Sequence, residues 1–533
     1  MPPHQGGDRK VSDRPRVERE VVRALGSIGS ATLIARVLGF VRDIIIAPVF
    51  GAGPITDAFF VAYRIPNMLR RLLGEGALPT AVVPVLTEYA ARGTPGEPAR
   101  MLRALFGALL FVLAAVTLFG MAAAPWIVRL MAPGFTREPG QAELTALLTR
   151  VMFPHLFLVG LGALAMGTLS AHGRFFASAF GPGMQNIGMI LCVVLFVGHL
   201  SPPIVSLAVG VVLGGVGQLL IQLPGLWRSG CLVAPSLDVG HPAVRQVARL
   251  LLPAVAGLAA LQVSLFVNTL LASLLPPGSI SFLAYADRVM ELPLAIFGLG
   301  LASASLPAMA RQASAGDPRG LAHTLGFALR LSFFVAIPAT LGLVLLRGPI
   351  IRLLFERGRF SPGDTAATAE ALLWYAAGLA GVSGARIAAQ VFYALREPGV
   401  AVRLGVLSVL VNVVAAVVLM RPLHHAGLAA AASIAGHVHL AALLWAARRR
   451  LGPIGGRALL ASIARTTAAA VPLAALCGSS LWLWPSAPGL PEDAAWLLFT
   501  MAVATTAFLA SAWWLRAPEL GSMGRILLRR SNG

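Results

Sequence analysis

Charge is scarce in this chain, and acid is scarcer than base. Asp, Glu, Lys and Arg make up 12% of the residues, and 42 basic residues outnumber 22 acidic ones. Soluble domains carry about 25% charged residues. With 57% hydrophobic content and a mean hydropathy of +0.79, this chain cannot cover a water-facing surface. Cysteine is nearly absent: Cys192, Cys231 and Cys477 are odd in number, far apart and set in apolar surroundings. That excludes a disulfide framework and leaves no thiol cluster for a metal, so the three read as packing residues. No Walker loop, nucleophile elbow or His-Glu-x-x-His motif occurs. Neither nucleotide hydrolysis nor the commonest hydrolytic chemistries find support.

What is plentiful is apolar sequence in runs of about 20 residues, the length that crosses a bilayer core. Fourteen spans are expected, at 25–51, 57–90, 101–122, 143–171, 180–199, 203–225, 245–274, 281–311, 322–346, 366–393, 401–421, 425–447, 458–482 and 493–516. The fold class is therefore an all-α polytopic membrane protein. Excess length in several spans is absorbed by tilt or by kinks at Pro48, Pro66, Pro84, Pro154, Pro253 and Pro293.

A net charge of +20 would suggest nucleic acid in a soluble protein. Position assigns it otherwise. Basic residues gather in alternate loops, among them Arg92, Arg100 and Arg103, then Arg228 and Arg245, then Arg448, Arg449, Arg450 and Arg457. Loops at 51–56, 199–203 and 275–281 carry no charge. This asymmetry predicts cytoplasmic termini and no nucleic-acid partner. The polar first 24 residues and the long, charge-broken segment after them fit an uncleaved insertion signal.

An internal repeat appears at an offset of about 223 residues: Pro84 to Gly93 matches Pro307 to Gly316, Pro125 to Phe135 resembles Pro349 to Phe360, and a third pair surrounds Arg174 and Arg396. It predicts a six-helix N-lobe at 25–228, a parallel C-lobe at 245–447, an extra helix pair at 458–516, and polar tails at 1–24 and 517–533. In repeat-built transporters the substrate site lies between halves that rock against each other.

The polar residues inside these spans cluster. Span 1 carries Arg36, Arg42 and Asp43; span 2 carries Asp57, Arg64, Asn67, Arg70 and Arg71, with Glu75 beyond; span 8 carries Asp287, Arg288 and Glu291. An arginine at the centre of a spanning helix costs roughly 2.5 to 3.5 kcal/mol on insertion scales. Something anionic must meet them. One reading is structural pairing, Arg36 with Asp43 seven residues on and Arg288 with Glu291 one turn on. The other is a wet cavity in which Arg36, Arg42, Arg70 and Arg288 grip a diphosphate through forked, charge-assisted hydrogen bonds. Elsewhere, His155, His437 and His439 lack metal-ligand spacing and read as packing residues. Arg386 stands in mid-span as a cavity or lipid-phosphate contact, and Gly162, Gly167, Gly181 and Gly183 allow close helix approach.

The stretch Ala35-Arg36-Val-Leu-Gly-Phe-Val-Arg42-Asp43 is followed by Phe50-Gly-Ala-Gly53, Thr56-Asp57-Ala-Phe-Phe60, Arg64-Ile-Pro-Asn67-Met-Leu-Arg70-Arg71 and Gly74-Glu75-Gly-Ala77. With Tyr285-Ala-Asp287-Arg288-Val-Met-Glu291-Leu-Pro293, it closely resembles the MurJ (MviN) family of lipid II flippases. The resemblance implies a MATE-like fold of two pseudo-symmetric six-helix lobes plus two C-terminal helices that form a groove for a polyprenyl tail. It implies a flippase, not an enzyme, in the bacterial cytoplasmic (inner) membrane. Its cargo would be lipid II, the undecaprenyl-diphosphate-linked peptidoglycan precursor, with membrane lipids and the peptidoglycan synthesis machinery as further partners. The family's cavity arginines match Arg36, Arg42, Arg70 and Arg288; Asp43, Asp57, Asn67, Glu75, Asp287 and Glu291 fall at supporting or gating positions.

Some members hold sodium with carboxylates of helices 7 and 11, but here spans 7 and 11 contain no Asp or Glu. That argues against a sodium cage and calls for no cofactor or metal. Membrane potential remains as a driving force, worth roughly 2.3 kcal/mol per charge per 100 mV. Two other readings compete: a MATE-like exporter of another lipid-linked oligosaccharide or of small molecules, and a membrane enzyme acting on polyprenyl phosphates. Cationic drugs favour a carboxylate-lined cavity, and an enzyme needs an acid–base pair with a metal or nucleophile; neither pattern is visible.

Overall fold

The structure, a computed structural model, describes residues 14–72, 78–91, 96–238, 240–294, 300–484 and 489–521. The described elements are helical throughout. In chain order they are α1 (Arg14–Phe50), α2 (Pro54–Leu72), α3 (Leu78–Ala91), α4 (Glu97–Met131), α5 (Gln141–Met152), α6 (Pro154–Ala171), α7 (Phe176–Ala179), α8 (Gly181–Phe196), α9 (Val205–Arg228) and α10 (Pro242–Ser273). There follow α11 (Ser279–Pro293), α12 (Gly300–Ser314), α13 (Pro318–Leu345), α14 (Arg347–Phe355), α15 (Pro362–Ala377), α16 (Leu379–Ala394), α17 (Pro398–Leu451), α18 (Gly456–Ala469), α19 (Val471–Trp482) and α20 (Leu490–Trp514).

Each expected span coincides with helix over most of its described length. Within 57–90 the described helices are α2 and α3, and within 281–311 they are α11 and α12. Span 4 runs from α5 into α6 through Phe153, whose φ of −57° and ψ of −37° stay helical; Pro154 offers no amide hydrogen, so the stretch Gln141–Ala171 is continuous with its hydrogen-bond ladder interrupted at the expected proline. Spans 11 and 12 join through a tight reversal in α17 at His424, whose φ is 47°. The Ser408 hydroxyl donates to the Ala435 carbonyl at 3.0 Å across this hairpin. Gly427 permits the turn, since a Cβ there would lie 2.3 Å from the Leu419 oxygen.

Eight helical stretches among the described residues are long and apolar enough to cross a bilayer. Their outward faces fit that solvent: Phe119 and Trp126 of α4, Trp482 at the end of α19, and Trp513 and Trp514 at the end of α20 are largely exposed. Tryptophan at helix ends is the usual signature of the membrane interface.

The helix bounds follow the 223-residue offset. Adding 223 to 78–91 gives 301–314, against α12 at Gly300–Ser314; adding it to 205–228 gives 428–451, the second limb of α17. The offset also pairs Gly173 with Arg396, one residue from the match seen in sequence. Both take left-handed φ, 71° and 59°. In each case the next residue's amide reaches back five positions, Arg174 to Leu169 at 2.9 Å and Glu397 to Phe392 at 2.8 Å. This is the Schellman ending of a helix, built once on glycine and once on arginine.

The chain forms two compact units, one of residues 1–46 and 54–266, the other of 47–53 and 267–533. The first unit's core includes Val82, Val85, Met101, Leu105, Leu164 and Val247. In the second, Leu325, Phe333, Ile387, Phe392 and Leu443 make one cluster, and Phe334, Leu473, Leu497 and Phe508 make another that ties α13 to α19 and α20. Buried carboxylates fasten the last helices at both ends. Asp493 accepts from Trp484 Nε1 at 2.7 Å and faces Arg352 Nε at 3.6 Å. Glu519 accepts from Ser462 at 2.8 Å and lies 3.9 Å from Arg330 Nε.

Candidate functional site

Helix α1 carries the first charged cluster. Arg42 and Asp43 are 5% and 3% exposed. Adjacent helical side chains do not normally face each other, but the arginine stem folds across. Nε and Nη2 donate to one Asp43 oxygen at 2.9 and 2.7 Å. Nη1 donates to Asn186 Oδ1 of α8 at 3.0 Å. The expected pairing of Arg36 with Asp43 is thereby corrected. Seven residues separate those two by about 10 Å along the helix axis, and Arg36 is exposed while Asp43 is buried.

Asn186 was not among the candidates. Its Nδ2 donates to the Ala35 carbonyl at 3.0 Å, so the amide joins two levels of α1. Gly39 makes the space: a Cβ there would lie 3.2 Å from that nitrogen. Three glycines hold α8 against α9. Cβ atoms at Gly188, Gly210 and Gly214 would sit 2.5, 2.6 and 2.5 Å from Gly214 N, Met189 Cα and Gln185 Cα, all backbone. The signal was present as Gly210-x-x-x-Gly214, the small-residue spacing of packed membrane helices. Of the glycines expected to do this, Gly162 and Gly181 lie against the Gln218 side chain, Gly183 lies against Phe180, and Gly167 is buried in α6.

On α2, Asp57 is buried in the first turn, where the helix dipole favours an anion. Tyr63 stacks on Phe59 and accepts from Gln185 Nε2 at 3.2 Å, a second tie to α8. Asn67 accepts from Arg70 Nε at 2.9 Å one turn on, leaving the guanidinium half-buried. Arg71 is exposed, and Glu75 lies outside the described residues. The histidines pack: His155 is fully buried, with Gly215 giving its ring room, and His437 lies against Gly381.

In the second unit, α11 buries Tyr285 against Phe355 and Phe360, with its hydroxyl 3.4 Å from the Gly51 carbonyl. One turn on, Arg288 Nη1 meets Glu291 Oε2 at 2.9 Å, the pairing expected from spacing. Both side chains are open, at 37% and 48% exposure, and Asp287 is exposed beside them. Half-buried Arg386 lies on α16. Among the described residues no group of three or more His, Cys, Asp or Glu could hold a metal. Chemically, then, the polar residues offer guanidinium donors with carboxylate and amide partners, a set suited to binding an anion.

Helices of this order and length define an architecture already known in solved structures. The chain superposes on a lipid II flippase MurJ in an inward closed conformation with TM-score 0.78 at 22% identity, covering 92% of this chain and 98% of that one. It superposes on an inward-facing multidrug resistance MATE family transporter of the MOP superfamily with TM-score 0.64 at 14% identity, covering 81% and 98%. The class is thus a multi-pass α-helical membrane protein of MATE-like fold. Residues 46–490 match the family model described as "Lipid II flippase MurJ". The chain is 36% identical over 434 residues to the probable lipid II flippase MurJ of Vibrio cholerae serotype O1, covering 80% of this chain and 83% of that protein. It is 34% identical over 432 residues to the lipid II flippase MurJ of Burkholderia cenocepacia, covering 80% and 84%. This chain belongs to the MurJ family of lipid II flippases, which are transporters and not enzymes.

Proposed function

We propose that this protein carries lipid II from the inner to the outer leaflet of the bacterial cytoplasmic membrane by alternating access between an N-lobe at 25–228 and a C-lobe at 245–447, with both termini cytoplasmic. Arg36, Arg42, Arg70 and Arg288 bind the diphosphate. Asp43, Asp57, Asn67, Glu75, Asp287 and Glu291 support the site or gate it, and the helices of 458–516 receive the polyprenyl tail. The observation that carries this reading is the placement of arginine on three helices of a membrane protein. Arg36 is exposed on α1 with no ion-pair partner among the described residues, and Arg70 and Arg288 are only partly covered. Lipid alone does not tolerate such groups at depth. A diphosphate supplies the acceptors, and forked guanidinium donors match it better than ammonium groups would. Outward movement of that anion runs with an inside-negative potential.

The test is rescue of cells depleted of their own flippase, together with lipid II binding by purified protein. Arg36→Ala and Arg288→Ala are expected to abolish rescue and weaken binding while membrane insertion is unchanged. Wild-type rescue by both variants would overturn the assignment of the site.

A further inference from the structure

We infer that Asn186 is a positioning residue for the diphosphate site, holding the Arg42 guanidinium through a neutral acceptor that stays in place when a phosphate displaces Asp43. The inference rests on the reading that Arg42 meets the diphosphate.

Arg42 presents five N–H donors and no acceptor. Nε and Nη2 donate to Asp43, and Nη1 donates to Asn186 Oδ1. A phosphate and a carboxylate seek the same forked face of a guanidinium, so an incoming diphosphate competes with Asp43 directly. It does not compete with Asn186, which carries no charge and meets a different nitrogen. An arginine released from its carboxylate in so dry a place would otherwise be free to rotate away on its flexible stem. Asn186 keeps its direction.

The amide is itself fixed. Only one orientation satisfies both neighbours, because Oδ1 must face the guanidinium and Nδ2 must face the Ala35 carbonyl, 3.0 Å away. The notch at Gly39 admits that nitrogen, and Gly188, Gly210 and Gly214 lock α8 to α9 through backbone contact. Asn186 lies 144 residues from Arg42 in sequence and is 8% exposed, so its position is set by helix packing and not by the local chain. The plainer alternative is that the amide only glues α8 to α1, as polar side chains do between membrane helices. The two roles separate in a double-mutant cycle.

The experiment measures binding of undecaprenyl diphosphate and undecaprenyl monophosphate, ligands that differ by one phosphate, to the folded full-length protein in nanodiscs. Arg42→Ala is expected to lower the preference for the diphosphate strongly, with Arg36, Arg70 and Arg288 keeping a residual preference. Asn186→Ala is expected to lower that preference about tenfold to a hundredfold, the scale of one hydrogen bond to a charged group. In the Arg42→Ala background it should change nothing further, because the amide acts through the arginine. Gly39→Ala, which presses on Nδ2 without removing it, should lower the preference by a smaller factor and serves should Asn186→Ala fail to fold. An unchanged preference in Asn186→Ala and Gly39→Ala, or an equal loss with and without Arg42, would overturn the inference while leaving the diphosphate reading intact. A full diphosphate preference in Arg42→Ala would instead remove the Arg42 assignment on which it stands.

Discussion

Two arginine–carboxylate pairs sit in the two units of this molecule, and they are built in opposite ways. In the first unit Arg42 and Asp43 are adjacent in sequence, nearly dry, and braced from another helix by Asn186. In the second unit Arg288 and Glu291 are one helical turn apart, 37% and 48% exposed. A buried pair is expensive to break because the surviving charge is left without solvent, whereas an open pair exchanges its partner for water or a ligand at little cost. The contrast leaves the Arg288 pair open to exchange with solvent. Arg42 is shielded, its donors held by Asp43 and Asn186.

The largest expected effect tests that contrast directly. Asp43→Ala leaves a buried guanidinium uncompensated and should destabilise the folded protein by about 3–5 kcal/mol, while Glu291→Ala should cost less than about 1 kcal/mol. Thermal unfolding of the detergent-solubilised protein measures both, and equal losses would break the comparison. Next in size are the helix contacts that hold each unit. A Cβ at Gly214 meets backbone at 2.5 Å, while one at Gly384 in the second unit meets the movable end of Leu440 at 2.9 Å. Gly214→Ala should therefore lose about 1–3 kcal/mol, the usual range for overpacking, and Gly384→Ala should unfold at a temperature closer to wild type.

A smaller effect sharpens the repeat. Arg396 occupies the left-handed position that Gly173 fills in the other unit, and a non-glycine residue there costs roughly 1–2 kcal/mol. Arg396→Gly should raise the melting temperature slightly even after the added freedom of the unfolded chain is counted, and Gly173→Arg should lower it. Smallest of all is a labelling difference. Cys477 is buried in the second unit, while Cys231 in the first is half-covered beside His172, and burial pushes its thiol above the usual range. A maleimide should modify Cys231 before Cys477 or Cys192. Because the thiolate is the reacting form, the rate should be low at neutral pH and climb as pH passes well above the ordinary thiol range.

Much of the fold was legible along the chain. Apolar runs marked the helices because each must hide its own backbone from lipid, a demand met within a segment. The offset of 223 residues recurs in the helix bounds for a related reason, since Gly173 and Arg396 end helices in the same local way. Pairing within one turn was legible too, as with Arg288 and Glu291. The interruption at Pro154 was legible as well, because proline removes a backbone hydrogen bond wherever it falls in a helix. The partner of Asp43 was not legible. Spacing favoured Arg36 as the partner of Asp43, yet spacing says nothing about which side of α1 meets α8.

The sequence by itself determined that this chain crosses a membrane many times, that it repeats, and that it sets arginines among apolar residues. Those properties follow from composition and from interactions within a few residues, which act before any helix meets another. Only the tertiary structure decided which arginine is neutralised and which stays open, because that depends on Gly39 and on the glycine contacts that bring Asn186 to α1 across 144 residues. Charge at depth is governed by local solvation and by distances of a few ångströms, and in a helical membrane protein those are set by how the helices pack.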